Sequence, residues 1–366
     1  MSSSEEASDY EDSMEMDEIP TYKGELNEAG EYHGKGELTY EKSGVKFIGE
    51  FKQGEKYGYG CLYFEDGSSL SGEYIEDELH GSGKYIFANG SYIEGTYEHG
   101  DLNGPAKEYD EEGELTFEGE YKDNIRSGIG KFYFEDGGNL TGSLNEEGEV
   151  TGSQCTYEFP DGSCLKGTWE DGEMVSAQYY IQKNGELVKD SEISYTQDIS
   201  TDTIISKDPL LRDPYETSRV YVQKSKIPNS GEGLFAKRDL KKGEVASFYN
   251  GIRITHEEVD SRDWSLNDNT ISLDDETVID VTAFYSDTKN YVATLGHKCN
   301  HQFNNNCQYD TYLHPRFGEI KSIRTLKDIA KDEELLVHYD YNTTLEDGQI
   351  EAPNWYKEEQ IRCGQK

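Results

Sequence analysis

From about residue 21 onward, apolar and polar side chains alternate in short runs, and the alternation itself recurs. The clearest copies are FIGEFKQGEKYGYGCLYFEDG from Phe47, LSGEYIEDELHGSGKYIFANG from Leu70 and FEGEYKDNIRSGIGKFYFEDG from Phe117. Gly49, Gly72, Gly95, Gly119, Gly142 and Gly167 recur every 23 to 25 residues, followed two residues later by Phe51, Tyr74, Tyr97, Tyr121, Leu144 and Trp169. Period-two alternation is that of a half-buried strand, and turns at KQGE and EHGD split each copy into two strands, so the unit is a β-hairpin. Stacked hairpins bury one face against the next copy, which predicts a quasi-linear sheet over 21–179. After Trp169 the pattern fades. Residues 180–214 are polar, with Pro209 and Pro214 near the end, and read as a connector. Beyond it the short apolar runs 220–222, 246–249, 277–281 and 335–339 lie between glycine-containing and charged turns and predict a second, compact, mostly β domain over 215–345.

Charge changes the picture for the first half. Net charge is -40, and residues 1–214 hold 16 Lys and Arg against 49 Asp and Glu, whereas 215–366 hold 19 against 26. Such a surface repels phosphate backbones and anionic headgroups, so basic protein partners are expected and nucleic acid or membrane is not. Residues 1–20, with eight acids and no base, have the composition of a disordered tail. Lacking a signal-like N-terminus or an apolar run near the ~20 residues of a membrane span, the chain is expected to be soluble and intracellular. Six scattered cysteines without a CxxC pair predict buried thiols, with no zinc cluster and no disulfide framework. The repeats, with an aromatic, a glycine and a second aromatic ahead of a G-x-G such as Gly58-Tyr59-Gly60, resemble MORN repeats. Their acidity favours a scaffold or protein-contact surface over lipid binding.

Four stretches of the second domain occur in a telling order: SGEGLFAKRDLKKGE from Ser230, SFYNG from Ser247, GHKCNHQFNNNC from Gly296 and DEELLVHYDY from Asp332. Together they resemble the SET-domain protein-lysine methyltransferases, and a MORN array ahead of a SET domain resembles one vertebrate-type branch of that family. The resemblance implies small β-sheets around a knot-like crossing, S-adenosylmethionine as methyl donor and a lysine side chain as acceptor, the two entering a narrow channel from opposite faces. It also implies that the C-terminal APNWYKEEQI, within 346–366, forms a short helix closing that channel.

The chemistry accounts for the residue types. At pH 7 only about one lysine in a few thousand is neutral, and a dehydrated aromatic channel favours the neutral amine while phenol oxygens orient it without a carboxylate to hold its proton. Tyr249, Tyr309, Tyr339 and Tyr341 match the family's channel positions, with Tyr339 as the essential hydroxyl. Tyr249 and Tyr309 would hydrogen-bond the amine and leave no room for a second methyl, which implies monomethylation. Any one of the 28 tyrosines, taken alone, would be read as core. By the same resemblance Ser230, Gly231, Glu232, Gly233, Asn300, His301, Trp355 and Glu359 contact the cofactor, and Asp260, Trp264, Thr270 and Lys321 form the peptide groove. No metal is expected, because no other His, Cys or carboxylate sits at ligand spacing from His301.

Two positions depart from the family pattern: Asp340 where glycine is usual between the two tyrosines, and Asn305 in place of a proline. The resulting expectation is a monomeric enzyme that methylates basic proteins, including the histone three tail and transcription regulators, in the nucleus with some cytoplasm. Two other classes compete with it: a silent acidic adaptor for basic tails, and a membrane tether through the repeats.

Overall fold

The computed structural model describes residues 19–341 and 352–364. Nearly all of the expected acidic tail, 1–18, and the stretch 342–351 lie outside the described residues. The chain is mostly β and divides into two compact units, one ending at Tyr180 and one beginning at Ile181.

In the first unit each strand pairs antiparallel with the next in chain order, from Thr21–Leu26 to Glu173–Lys183. The expected turns are there: Gln53 and Gly54 (φ 54° and 98°) and His99 and Gly100 (φ 55° and 85°) carry the paired positive φ of two-residue hairpin loops. The cross-strand register explains the glycines. Gly49 faces Gly60, Gly60 faces Gly72, Gly72 faces Gly83 and Gly83 faces Gly95, forming a file across the strands. The Phe47 ring lies flat over this file, and a Cβ at Gly49 or Gly60 would run into it. The phenylalanine is buried and meets Phe51 and Tyr74 edge-on at centroid distances of 5.4 and 4.9 Å. At Gly49 and Gly60, and again at Gly119 and Gly130 under Phe117, the ring occupies the space that the missing side chain leaves, while at Gly72 and Gly95 Leu79 and Leu102 take it.

The second unit is built from small sheets. Strand Val220–Lys224 pairs with Glu232–Ala236, Gly318–Thr325 lies between Val245–Tyr249 and Cys307–His314, and Thr277–Asp280 lies between Ile252–Thr255 and Thr270–Ser272. The two-residue strands Asn300–His301 and Leu336–Val337 pair in parallel, which sets the third and fourth motifs side by side. Of the apolar runs read as strands, 335–339 yields only Leu336–Val337.

The segment read as a connector contains strand Glu186–Tyr195 and then a polar anchor. Asp198 is buried and accepts hydrogen bonds from Ser206 Oγ and the Lys207 N–H, both at 2.5 Å, and from Arg316 Nη2 at 3.0 Å.

Glu216, on the short helix Pro214–Thr217, is the second anchor. Its Oε1 accepts from Ser247 Oγ and from the N–H groups of Phe248, at 3.0 Å, and Leu295, at 2.9 Å. Burial pushes its pKa up to about 8 against those donors. Glu216→Ala leaves three buried donors without an acceptor, and at roughly 1–3 kcal/mol for each unsatisfied group the expected loss is on the order of 3 kcal/mol or more. Urea unfolding of the variant against the parent chain measures it.

Candidate active site

The strand ends and the parallel pair converge on one cavity of about 410 Å³. Tyr249 reaches it from the last residue of Val245–Tyr249, Tyr309 from the third residue of Cys307–His314, and Tyr339 and Tyr341 from just beyond Leu336–Val337. All four tyrosines named from the sequence line the same space. The rings of Tyr249 and Tyr309 stand 6.2 Å apart and those of Tyr339 and Tyr341 5.8 Å apart, both edge to face.

Their protons matter more than their rings. Tyr249 Oη donates to the Asn269 carbonyl at 2.6 Å, and Tyr339 Oη donates to the Cys299 carbonyl at 3.0 Å. Burial, followed by the neighbouring phenols and thiols, lifts Tyr249, Tyr309 and Tyr339 well above the ordinary 10, and burial with the Asp268 charge takes Tyr341 to about 12. Every channel phenol is therefore neutral at physiological pH. With their single hydrogens committed to backbone carbonyls, Tyr249 and Tyr339 present only lone pairs to a guest. A cavity so lined accepts hydrogen bonds from an amine.

Next to it, three of the residues read as cofactor contacts, Glu232, Gly233 and Asn300, gather around Glu334. Asn300 Nδ2 donates to the Glu232 carbonyl at 2.9 Å and to Glu334 Oε1 at 3.3 Å, and Glu334 also accepts from Ser225 Oγ at 2.6 Å and the Lys226 N–H at 2.8 Å. A Cβ at Gly233 would collide with the Glu334 carboxylate and approach the Asn300 amide, so glycine makes room for that carboxylate, whereas at Gly231 the space a Cβ would take is open. His301 forms the wall shared with the tyrosines. Its Nδ1 accepts the Tyr339 N–H at 3.1 Å, which leaves the ring hydrogen on Nε2. That Nε2 is buried and has no hydrogen-bond partner among the described residues. Tyr339, Trp355 and Tyr356 surround the imidazole at centroid distances of 5.2, 5.8 and 4.7 Å.

Trp355 belongs to the C-terminal helix Asn354–Arg362, which packs Tyr356 with Phe303 and Ala352 against Tyr339 and Tyr341. Glu359 on that helix is occupied by Arg362 at 3.0 Å, and Ser230 sits in the turn before Gly231 without reaching the cavity. Of the expected groove, Thr270 and Lys321 line the cavity, and Trp264 meets Tyr341 at 6.0 Å. Asp260 is exposed on helix His256–Ser261 and is not among the lining residues. Asp340 takes a left-handed conformation, φ 53°, lines the cavity with His338 and, with its side chain 87% exposed, holds His338 Nδ1 at 2.7 Å. Asn305 is tied locally to the Cys307 carbonyl at 2.8 Å. Three participants escaped the sequence reading: Glu334, which lay inside a quoted motif, and the carbonyls of Asn269 and Cys299, which no side-chain pattern marks.

A pH dependence follows from His301. Burial, then the neighbouring His338, lowers its pKa from the ordinary 6.5 to about 4, and burial takes His297 to about 3. Below 6.5 the unfolded chain binds protons that the folded chain refuses. The stability these groups confer is thus full above pH 6.5 and is lost as the pH falls toward 4. Protonation also puts a hydrogen on His301 Nδ1, opposite the Tyr339 N–H. Glu216, with its raised pKa, works in the opposite direction over the same range, so the His301 contribution is read as a difference: between pH 7 and pH 5 the parent chain is expected to lose more melting temperature than His301→Gln, as calorimetric scans across this range would record.

Comparisons with known proteins agree with this layout. A family model described as SET domain matches residues 231–340, MORN repeat matches 22–45, 47–69 and 71–92, and "Histone H3 K4-specific methyltransferase SET7 N-terminal" matches 121–184. Among curated proteins, "Histone-lysine N-methyltransferase SETD7" of Halocynthia roretzi is 49% identical over 352 residues, covering 92% of this chain and 90% of the relative.

Proposed function

Because the chain belongs to the SET-domain histone-lysine N-methyltransferases with N-terminal MORN repeats, we propose that it adds a single methyl group, drawn from S-adenosylmethionine, to lysines of basic proteins. The observation that carries this reading is the cavity in which Tyr249 and Tyr339 donate to carbonyls and so turn only acceptors toward a guest amine. Histone three tails fit the acidic chain, and lysines of transcription regulators are further substrates; the site of action is the nucleus, with some protein in the cytoplasm, and the working form is a monomer.

The buried Nε2–H of His301 without a partner among the described residues, the open space beside Gly231 and the exposed face of Trp355 suit an adenosine-bearing group. Ser230, Gly231, Glu232, Gly233, Asn300, His301, Trp355 and Glu359 would hold it. S-adenosylmethionine supplies an electrophilic methyl carbon on a sulfonium, so no activation beyond a free amine is required.

The chain's residues then act on that amine. The channel excludes water, which favours its uncharged form. Tyr249 and Tyr309 accept its remaining hydrogens and aim the lone pair. Tyr339, fixed between the Cys299 carbonyl and the His301 ring, keeps an oxygen at the junction of the two sites. Thr270 and Lys321 border the channel, and Trp264 with Asp260 extends the peptide groove beyond it.

The test is mass spectrometry of a histone-three tail peptide incubated with the full-length protein and S-adenosylmethionine. One added methyl on a lysine supports the reading. If neither this peptide nor other basic peptides gain a methyl while S-adenosylmethionine still binds by calorimetry, the chain is an adaptor.

A further inference from the structure

Two neighbouring hairpins of the first unit bring together a carboxylate and two imidazoles that no sequence motif marks. Glu78 opens strand Glu78–Ile86, and His80 follows two residues later on the same face. The next hairpin, between Tyr92–Glu98 and Asp101–Tyr109, turns at His99 and Gly100. The Gly100 N–H donates to the Leu79 carbonyl at 3.0 Å and seats that turn over the start of the earlier strand. As a result His99 Nδ1 lies 2.8 Å, and His80 Nε2 3.6 Å, from the same oxygen, Glu78 Oε2. The two imidazoles stand edge to face at 5.0 Å, and one ligand atom from each of the three residues lies within 4.8 Å of the others.

The two distances to Glu78 Oε2 bracket the ligand spacing of a coordination polyhedron. With bonds of about 2.0–2.1 Å, the ligand atoms of a tetrahedral zinc ion lie roughly 3.3 Å apart, between the two distances measured to Glu78 Oε2. Ion pairing to one carboxylate accounts for each imidazole separately, and the consequence is that two ring nitrogens converge on a single oxygen from two hairpins. The fold does not impose the trio. The backbone bonds from Asp77 to Lys56 and from Asn124 to Leu102 repeat the Gly100–Leu79 contact. They identify the corresponding positions as Glu55, Tyr57 and Glu76 one hairpin earlier, and Asp101, Asn103 and Asp123 one hairpin later. Neither set contains an imidazole, and the hairpin before those, where the Gly54 N–H donates to the Tyr32 carbonyl, offers only one, His33, with Glu31 and Gln53. The donor set of two nitrogens and one carboxylate is of the kind taken by borderline divalent ions, and its exposure leaves the remaining positions to water.

We propose that Glu78, His80 and His99 form a binding site for a divalent transition metal of the zinc type, which clamps two consecutive hairpins of the repeat sheet. The expectation of no metal rested on the cysteines and on His301 and passed over this site because its ligands come from two different turns.

The full-length, tag-free chain would be titrated with zinc chloride by calorimetry and with cobalt chloride by visible absorption. The expected result is one zinc ion at this site, a higher melting temperature with zinc present, and cobalt bands free of thiolate charge transfer. His80→Gln and His99→Asn, the latter retaining a residue that tolerates the left-handed turn, are each expected to weaken zinc binding by at least about tenfold, whereas His33→Gln is not. Absence of zinc binding in the parent chain, undiminished binding in both variants, or a thiolate band with cobalt would overturn the assignment; undiminished binding would redirect attention to the carboxylate cluster Glu147, Glu149 and Asp171.

Discussion

Tyr339→Phe is expected to leave the protein folded and able to bind S-adenosylmethionine while lowering methyl transfer by at least about a hundredfold, the scale on which loss of a positioning contact acts. The ring remains packed against His301 and Trp355, so the wall between the two halves of the site survives. The hydroxyl disappears, and with it the hydrogen bond to the Cys299 carbonyl and the oxygen presented at the junction. One hydrogen bond contributes about 1 kcal/mol to stability, so the melting temperature should shift only slightly. Three readings on the same preparation separate the effects: rate by mass spectrometry, cofactor affinity by calorimetry, and melting temperature. A full rate with unchanged binding would remove Tyr339 from the reaction; a large drop in melting temperature would make it a core residue instead.

How much of this site is written in the sequence depends on whether a residue's partner is local. The repeat sheet was legible because its packing rule acts over two residues along a strand and one step across it, as with Phe47, Gly49 and Gly60. The four tyrosines were legible because three sit inside a motif and Tyr309 lies two residues beyond one. Asn269 and Cys299 were not, since they contribute backbone carbonyls that the fold alone places. Residues 196–213 looked like tether because Asp198 reads as a solvated charge unless one knows that Arg316, 118 positions away, is buried against it. Overreading the run 335–339 as a strand has a local cause. Asp340 adopts φ 53° and its carboxylate holds His338 Nδ1 at 2.7 Å, so a side-chain contact competes with the ladder and the chain turns away after Val337. That turn is also what swings Tyr339 and Tyr341 into the cavity.

Tyr309→Phe is the variant in which product number, more than rate, should change. Tyr249 is a poor probe because its hydroxyl also anchors Asn269, and losing it disturbs the loop that supplies Thr270. The Tyr309 hydroxyl makes no hydrogen bond to the described residues, so deleting its oxygen alters the cavity and little else. A lysine that already carries one methyl must rotate that methyl into the space of a former N–H donor before its lone pair can be aimed again. In the parent chain that space is filled by the phenol oxygen of Tyr309, facing Tyr249 across 6.2 Å between ring centres. Phenylalanine vacates it and replaces an acceptor, which prefers an N–H, with a hydrogen that tolerates a methyl. The first methyl should be added within about tenfold of the parent rate, since the expected loss is one hydrogen bond of about 1 kcal/mol or slightly more, and dimethyl-lysine should accumulate behind it. Mass spectra over a time course distinguish the cases. Dimethylated peptide from the variant alone assigns the product limit to Tyr309. Monomethyl product from both chains moves the limit to the carbonyl-anchored Tyr249 or to the width of the channel, and dimethyl product from the parent chain itself would mean that the cavity sets no such limit.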